Sequence, residues 1–132
     1  MWYGELHSSK SLSPTLKIKP MGIGFVRLDK GIPSPKDVAA ARKALKVCEE
    51  KIYSDNYFMV ILDEINNAVD YGLLDVHDVL TMLKNRPKAV NVVLTGRGAA
   101  PQIIAIADLV TEMKEVKHPF LTGGQSRCGI EF

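Results

Sequence analysis

From Val38 the apolar positions Ala41, Leu45, Cys48 and Ile52 follow at alternating steps of three and four. That is the stripe of a helix with one face on a core. Ser34 before Pro35 supplies its start, an oxygen acceptor at the N-cap and a first-turn residue with no N–H to leave unpaired. The period then changes. Phe58-Met59-Val60-Ile61-Leu62 is a run of five apolar residues without polar alternation, which predicts a strand covered on both faces, as in a parallel sheet. A second helix is capped by Asp75, turns Val76, Val79, Leu80 and Leu83 inward, and ends by Pro87. Val90 to Leu94 predicts a second buried strand, and Pro101 opens a third helix carrying Ile103, Ile104 and Ala107. Leu109 to Val116 predicts a further strand. Upstream, Ser8 to Pro14 reads as a loop, and Leu16-Lys17-Ile18-Lys19 as a short strand stopped by Pro20.

Strands alternating with helices of this length are the pattern of βαβ units, so the class is α/β. No internal repeat or low-complexity tract divides the 132 residues, and residues 1–132 read as a single domain. Apolar residues make up 46% and charged residues 24%, as in ordinary soluble domains. A net charge of +2 without a dense Lys/Arg run gives no footprint for nucleic acid. No apolar stretch approaches the roughly 20 residues of a membrane span. Nor does an apolar signal-peptide region follow Met1-Trp2-Tyr3-Gly4-Glu5. Cys48 and Cys128 stand far apart without a CxxC partner, which fits reduced thiols in a cytoplasmic protein. His7, His77 and His118 have no metal-ligand spacing.

Chemistry concentrates where the two apolar strands end. Asp63-Glu64 follows the first of them directly, and a buried parallel strand delivers such carboxylates to the carboxyl edge of the sheet, where α/β folds bind ligands. This is the Walker B arrangement, in which the Asp helps to hold magnesium and the Glu ligates it or accepts a proton. A capping Asp followed by a surface Glu gives the same string. Leu94-Thr95-Gly96-Arg97-Gly98 ends the second strand. Its glycines permit tight backbone geometry, and Arg97 offers a forked donor to a triphosphate; a turn with a solvated Arg is the alternative. The phosphate-cradling string GxxxxGK[ST] occurs nowhere in the chain.

Longer strings extend the picture. Ile61-Leu62-Asp63-Glu64-Ile65-Asn66 and Tyr71-Gly72-Leu73-Leu74-Asp75-Val76 resemble the Walker B strand and following helix of the P-loop corrinoid adenosyltransferases. Asn85-Arg86-Pro87, Val93-Leu94-Thr95-Gly96-Arg97-Gly98 and Ala107-Asp108-Leu109-Val110-Thr111-Glu112-Met113 continue the resemblance in order. So do Lys117-His118-Pro119-Phe120 and Gly129-Ile130-Glu131-Phe132, with Tyr3-Gly4-Glu5-Leu6 and Met21-Gly22-Ile23-Gly24-Phe25 before them.

The resemblance implies a three-layer, mostly parallel sheet of the RecA-like P-loop type, incomplete at its amino-terminal side. It implies transfer of the 5′-deoxyadenosyl group of ATP to cob(I)alamin or a related corrinoid, with tripolyphosphate as the leaving group. By the same resemblance Glu64 and Asp63 are the catalytic and magnesium-holding residues, and Thr95, Gly96 and Arg97 lie at the ATP. Phe25 and Asn66 are then the corrinoid-side residues, although Arg27 stands where one version of the family pattern has tryptophan. His118 reads as structural, before Pro119. A homodimer, or a partner supplying the phosphate-loop segment, is the implied assembly. The chain alone is expected to bind ATP weakly. Two other readings share these residues: a non-catalytic or split-subunit corrinoid-binding relative, and a RecA-like ATPase fragment.

Overall fold

The computed structural model of the chain describes residues 4–22, 32–125 and 127. They fall into two compact units, Met21–Val110 and a smaller one made of Met1–Pro20 with Thr111–Phe132.

The larger unit begins with α2 (Pro35–Tyr53), which follows a short α1 (Gly4–Ser8) of the smaller unit. Its start is as the sequence predicts. The Ser34 hydroxyl accepts the Asp37 N–H at 3.2 Å and donates to the Asp37 carboxylate at 2.6 Å, while Pro35 takes the first helical position. Ile52 is fully buried, and Ala41, Leu45 and Cys48 pack half-buried on the same core.

Strand β1 (Met59–Leu62) pairs in parallel with β2 (Asn91–Leu94), with Met59 opposite Asn91 and Leu62 opposite Leu94. A parallel pair cannot be closed by a hairpin. The intervening chain holds α3 (Ile65–Asp70) and α4 (Val76–Lys84). Asp75 caps α4 by accepting the His77 N–H at 2.8 Å. Val79, Leu80 and Leu83 are buried as expected, and Met82, outside the predicted stripe, is buried beside them at 1% exposure. After β2, α5 (Pro101–Ile106) adds Ile103 to the core.

Several expectations are corrected. Among the described residues the strands are packed on one face only. Val60, Leu62, Val92 and Leu94 face the core, whereas Ile61 is 56% exposed and Met59 and Val93 are exposed with it. Among the described residues the sheet has two strands and one packed face, so the apolar run reports a sheet face that no layer covers. Leu109 to Val116 forms no strand: Leu109, Met113 and Val116 are each more than four-fifths exposed, with no ladder to join. Leu16 to Lys19 is likewise no strand among the described residues, and the Leu16 N–H returns to the Leu12 carbonyl at 3.0 Å. The predicted loop at Ser8 to Pro14 contains a 3-10 turn at Ser9–Leu12, and α5 stops before Ala107, which takes an extended conformation.

In the smaller unit, a second 3-10 turn runs over Pro119–Thr122. His118 Nδ1 accepts the Phe120 N–H at 3.1 Å, which makes this histidine a cap, in keeping with its structural reading.

Candidate nucleotide-binding edge

Because Leu62 and Leu94 are in register at the ends of two parallel strands, the residues that follow them are set side by side at the carboxyl edge. The contacts are specific. The Thr95 hydroxyl donates to Asp63 Oδ1 at 2.6 Å and accepts the Glu64 N–H at 3.0 Å. The Thr95 N–H donates to the Leu62 carbonyl at 3.2 Å, and the Thr95 carbonyl accepts the Asn66 N–H at 3.2 Å. One threonine thus uses its hydroxyl and both backbone groups to join the two strand ends.

Glu64 takes a left-handed backbone, φ 61° and ψ 17°, at a cost of about 1 to 2 kcal/mol for a residue with a Cβ. The turn it makes carries the chain from β1 into α3, and the bond from its N–H to Thr95 offsets part of that cost. The side chains of Asp63 and Glu64 are both exposed.

Gly96 and Gly98 follow on the β2 side with φ 119° and 67°. A Cβ on Gly96 would strike the Asn67 side-chain oxygen, and one on Gly98 would come within 2.7 Å of the Asp70 carboxyl carbon. The loop therefore lies directly on α3, and a side chain at either point would have to push Asn67 or Asp70 aside from a positive-φ backbone that favours glycine. The Arg97 N–H donates to Asn67 Oδ1 at 2.6 Å.

The structure brings Asp63, Glu64, Thr95, Gly96 and Arg97 to one edge. Asn66 joins them through its backbone, but its side chain is 6% exposed, and its Oδ1 is buried with no hydrogen-bond partner among the described residues. Phe25 lies outside the described residues. The sequence reading missed Asn67 and Asp70. Neither carries a local signal, because what marks them is the close approach of Gly96 and Gly98 from a loop far along the chain.

Magnesium commonly takes one or two carboxylates and fills its remaining positions with phosphate oxygens and water. No group of three or more His, Cys, Asp or Glu suited to a metal occurs among the described residues. Asp63 and Glu64, consecutive and exposed, with Asp63 Oδ2 outside the Thr95 bond, fit that two-carboxylate mode.

The family model for ATP:corrinoid adenosyltransferase BtuR/CobO/CobP matches residues 1–132. The chain belongs to this family. Curated corrinoid adenosyltransferases align with it. The protein from Sinorhizobium sp. is 47% identical over 98 residues, covering 74% of this chain and 46% of the relative. That from Pseudomonas aeruginosa is 42% identical over 97 residues, 74% of this chain and 48% of the relative. The Escherichia coli K12 protein is 31% identical over 120 residues, 87% of this chain and 61% of the relative. This member of the corrinoid adenosyltransferase family thus spans about half the length of the curated relatives it matches.

Proposed function

We propose that the chain contributes the Walker B half of an ATP:corrinoid adenosyltransferase site, where the 5′-deoxyadenosyl group of ATP passes to the cobalt of a reduced corrinoid and tripolyphosphate leaves. The observation that carries this reading is the edge itself. Asp63 and Glu64 on one strand end are tied by Thr95 to a second strand end bearing Arg97. Such a displacement asks little covalent work of a protein. It requires alignment of the attacking and reacting atoms and neutralisation of the charge on the leaving group.

The roles divide accordingly. Thr95 fixes the strand ends relative to one another. Gly96 keeps the loop low against α3, and Arg97 presents a guanidinium to the polyphosphate. Asp63 and Glu64 would hold magnesium, which when bound neutralises polyphosphate charge. Phe25 and Asn66 belong to the corrinoid side of this proposal. Asn66 acts there through the backbone it supports, because its amide is buried.

The family match runs through both compact units, which supports reading 1–132 as one domain. The exposed apolar face of β1 and β2 supports a three-layer, RecA-like sheet in which further elements cover Met59, Ile61 and Val93. No helix among the described residues is long and apolar enough to cross a membrane. A cytoplasmic homodimer, or an assembly in which a partner segment supplies the phosphate loop, completes the proposal.

The test is anaerobic. The chain is mixed with cob(I)alamin, ATP and magnesium, alone and with the phosphate-loop segment of a relative, and formation of the light-sensitive cobalt–carbon bond is followed by absorbance. The expected result is product in the supplemented mixture that disappears with Glu64→Ala. Phosphate release from ATP that ignores corrinoid would overturn the reading in favour of an ATPase fragment. Corrinoid binding without transfer in either mixture would favour a non-catalytic relative.

A further inference from the structure

The bond from the Arg97 N–H to Asn67 Oδ1, at 2.6 Å, is shorter than the bond from the Asn66 N–H to the Thr95 carbonyl, at 3.2 Å, which also joins α3 to the loop that follows β2. Its donor is a backbone N–H, so the side-chain atom facing it is the amide oxygen. Its location is also distinctive. It fixes the peptide of a cationic residue at the edge, Arg97, whose guanidinium has no partner among the described residues. Gly96, at φ 119°, passes so close to Asn67 that any side chain there would displace the amide. One helical turn further on, Asp70 lies beneath Gly98.

We propose that Asn67 is a positioning residue: its amide oxygen clamps the Gly96-Arg97 peptide onto α3 and so sets the backbone from which Arg97 meets the polyphosphate of the nucleotide. The inference rests on the nucleotide reading of this edge. Asn67 touches no reacting atom and acts through Arg97. The two glycines of Thr95-Gly96-Arg97-Gly98 accordingly serve close approach to α3 in addition to turn formation.

Two measurements on the full chain separate this idea from the reading it rests on. The first is hydrogen exchange at the Arg97 amide, with the amides of buried Val79 and Leu80 as controls for global opening. In Asn67→Ala the Arg97 amide is expected to exchange about 3- to 10-fold faster, as loss of one exposed hydrogen bond allows, with the controls unchanged. Asn67→Asp keeps an acceptor oxygen and restores protection.

The second is a double-mutant cycle on ATP affinity with magnesium, measured by calorimetry for Asn67→Ala, Arg97→Ala and both together. Asn67→Ala is expected to weaken ATP binding about 3- to 10-fold when Arg97 is present and to have no further effect when Arg97 is replaced. An Arg97 amide indifferent to Asn67→Ala overturns the clamp. Strictly additive losses overturn its action through Arg97. If the unsubstituted chain binds no ATP up to millimolar concentration, either alone or with the phosphate-loop segment of a relative, the nucleotide reading fails, and with it the positioning role toward ATP. The exchange result then judges the clamp by itself.

Discussion

Thr95 and Asp63 are joined across the ends of two parallel strands by a 2.6 Å hydrogen bond in which the threonine hydroxyl donates to the carboxylate. The same hydroxyl accepts the Glu64 N–H at 3.0 Å, so one oxygen orients a candidate metal ligand and closes a strained turn. Neither role needs the threonine methyl group; both need the oxygen. Thr95→Val keeps the shape and removes the oxygen, leaving the Glu64 N–H and Asp63 Oδ1 to find water instead. The expected cost is about 1 to 2 kcal/mol, read as a lower urea midpoint with an unchanged slope. Thr95→Ser should recover most of it. Equal midpoints for the valine variant and the parent would remove the hydroxyl from this role.

The one-sided sheet makes a second prediction. Leu62 is 4% exposed and its neighbour Ile61 is 56% exposed, since successive side chains of a strand point to opposite faces. Leu62→Ala should cost about 2 to 5 kcal/mol. Ile61→Ser should change stability by less than about 0.5 kcal/mol and reduce self-association at high concentration, because it breaks an exposed apolar face. Urea denaturation and light scattering check the two halves. A loss for Ile61→Ser as large as that for Leu62→Ala would mean that this face is covered in solution.

The contrast between these neighbours shows what the sequence could reveal. The helix at Pro35–Tyr53 was legible from its stripe and its Ser34-Pro35 start, and α4 from Asp75 and its inward positions. Those signals are local, and local chemistry sufficed to form the elements. The run Phe58 to Leu62 announced a strand correctly but not how many faces are covered, because cover depends on elements distant in sequence. Leu109 to Val116 failed for the same reason: its composition suits a strand, and no partner strand meets it among the described residues. At the edge, Asp63, Glu64, Thr95 and Arg97 were legible because they stand just past the ends of apolar runs. Asn67 was not, since its significance lies in a loop thirty residues away.

Arg86 and Asp108 come from two separate strings of the family resemblance and meet in an ion pair at 3.1 Å. Asp108 remains 88% exposed and Arg86 about one-third exposed, so water and salt screen the pair. A double-mutant cycle with Arg86→Ala and Asp108→Ala should give a coupling of about 0.2 to 1 kcal/mol that shrinks in 1 M salt. Its importance would then lie in orienting the chain after α5 more than in stability. A coupling well above that range, insensitive to salt, would contradict the exposed geometry.

Tyr53 closes the carboxyl end of α2 onto α4, its hydroxyl donating to the Met82 carbonyl at 3.1 Å. Its pKa is raised above 10.0, first by partial burial and then by the charge of the neighbouring Glu49 carboxylate. Both causes favour the neutral phenol in the folded state. Since the folded value lies above the unfolded one, the stabilisation is fully present below about pH 10 and is lost as pH rises through the folded value. Tyr53→Phe removes the hydroxyl and should lower stability at pH 7 by about 0.5 to 1.5 kcal/mol. The gap between parent and variant should stay constant from pH 7 to 9 and narrow above it. Denaturation midpoints across that range, paired with phenolate absorbance, make the comparison. A gap that already narrows below pH 9 would show that Tyr53 ionises early, against its partial burial and the Glu49 carboxylate beside it.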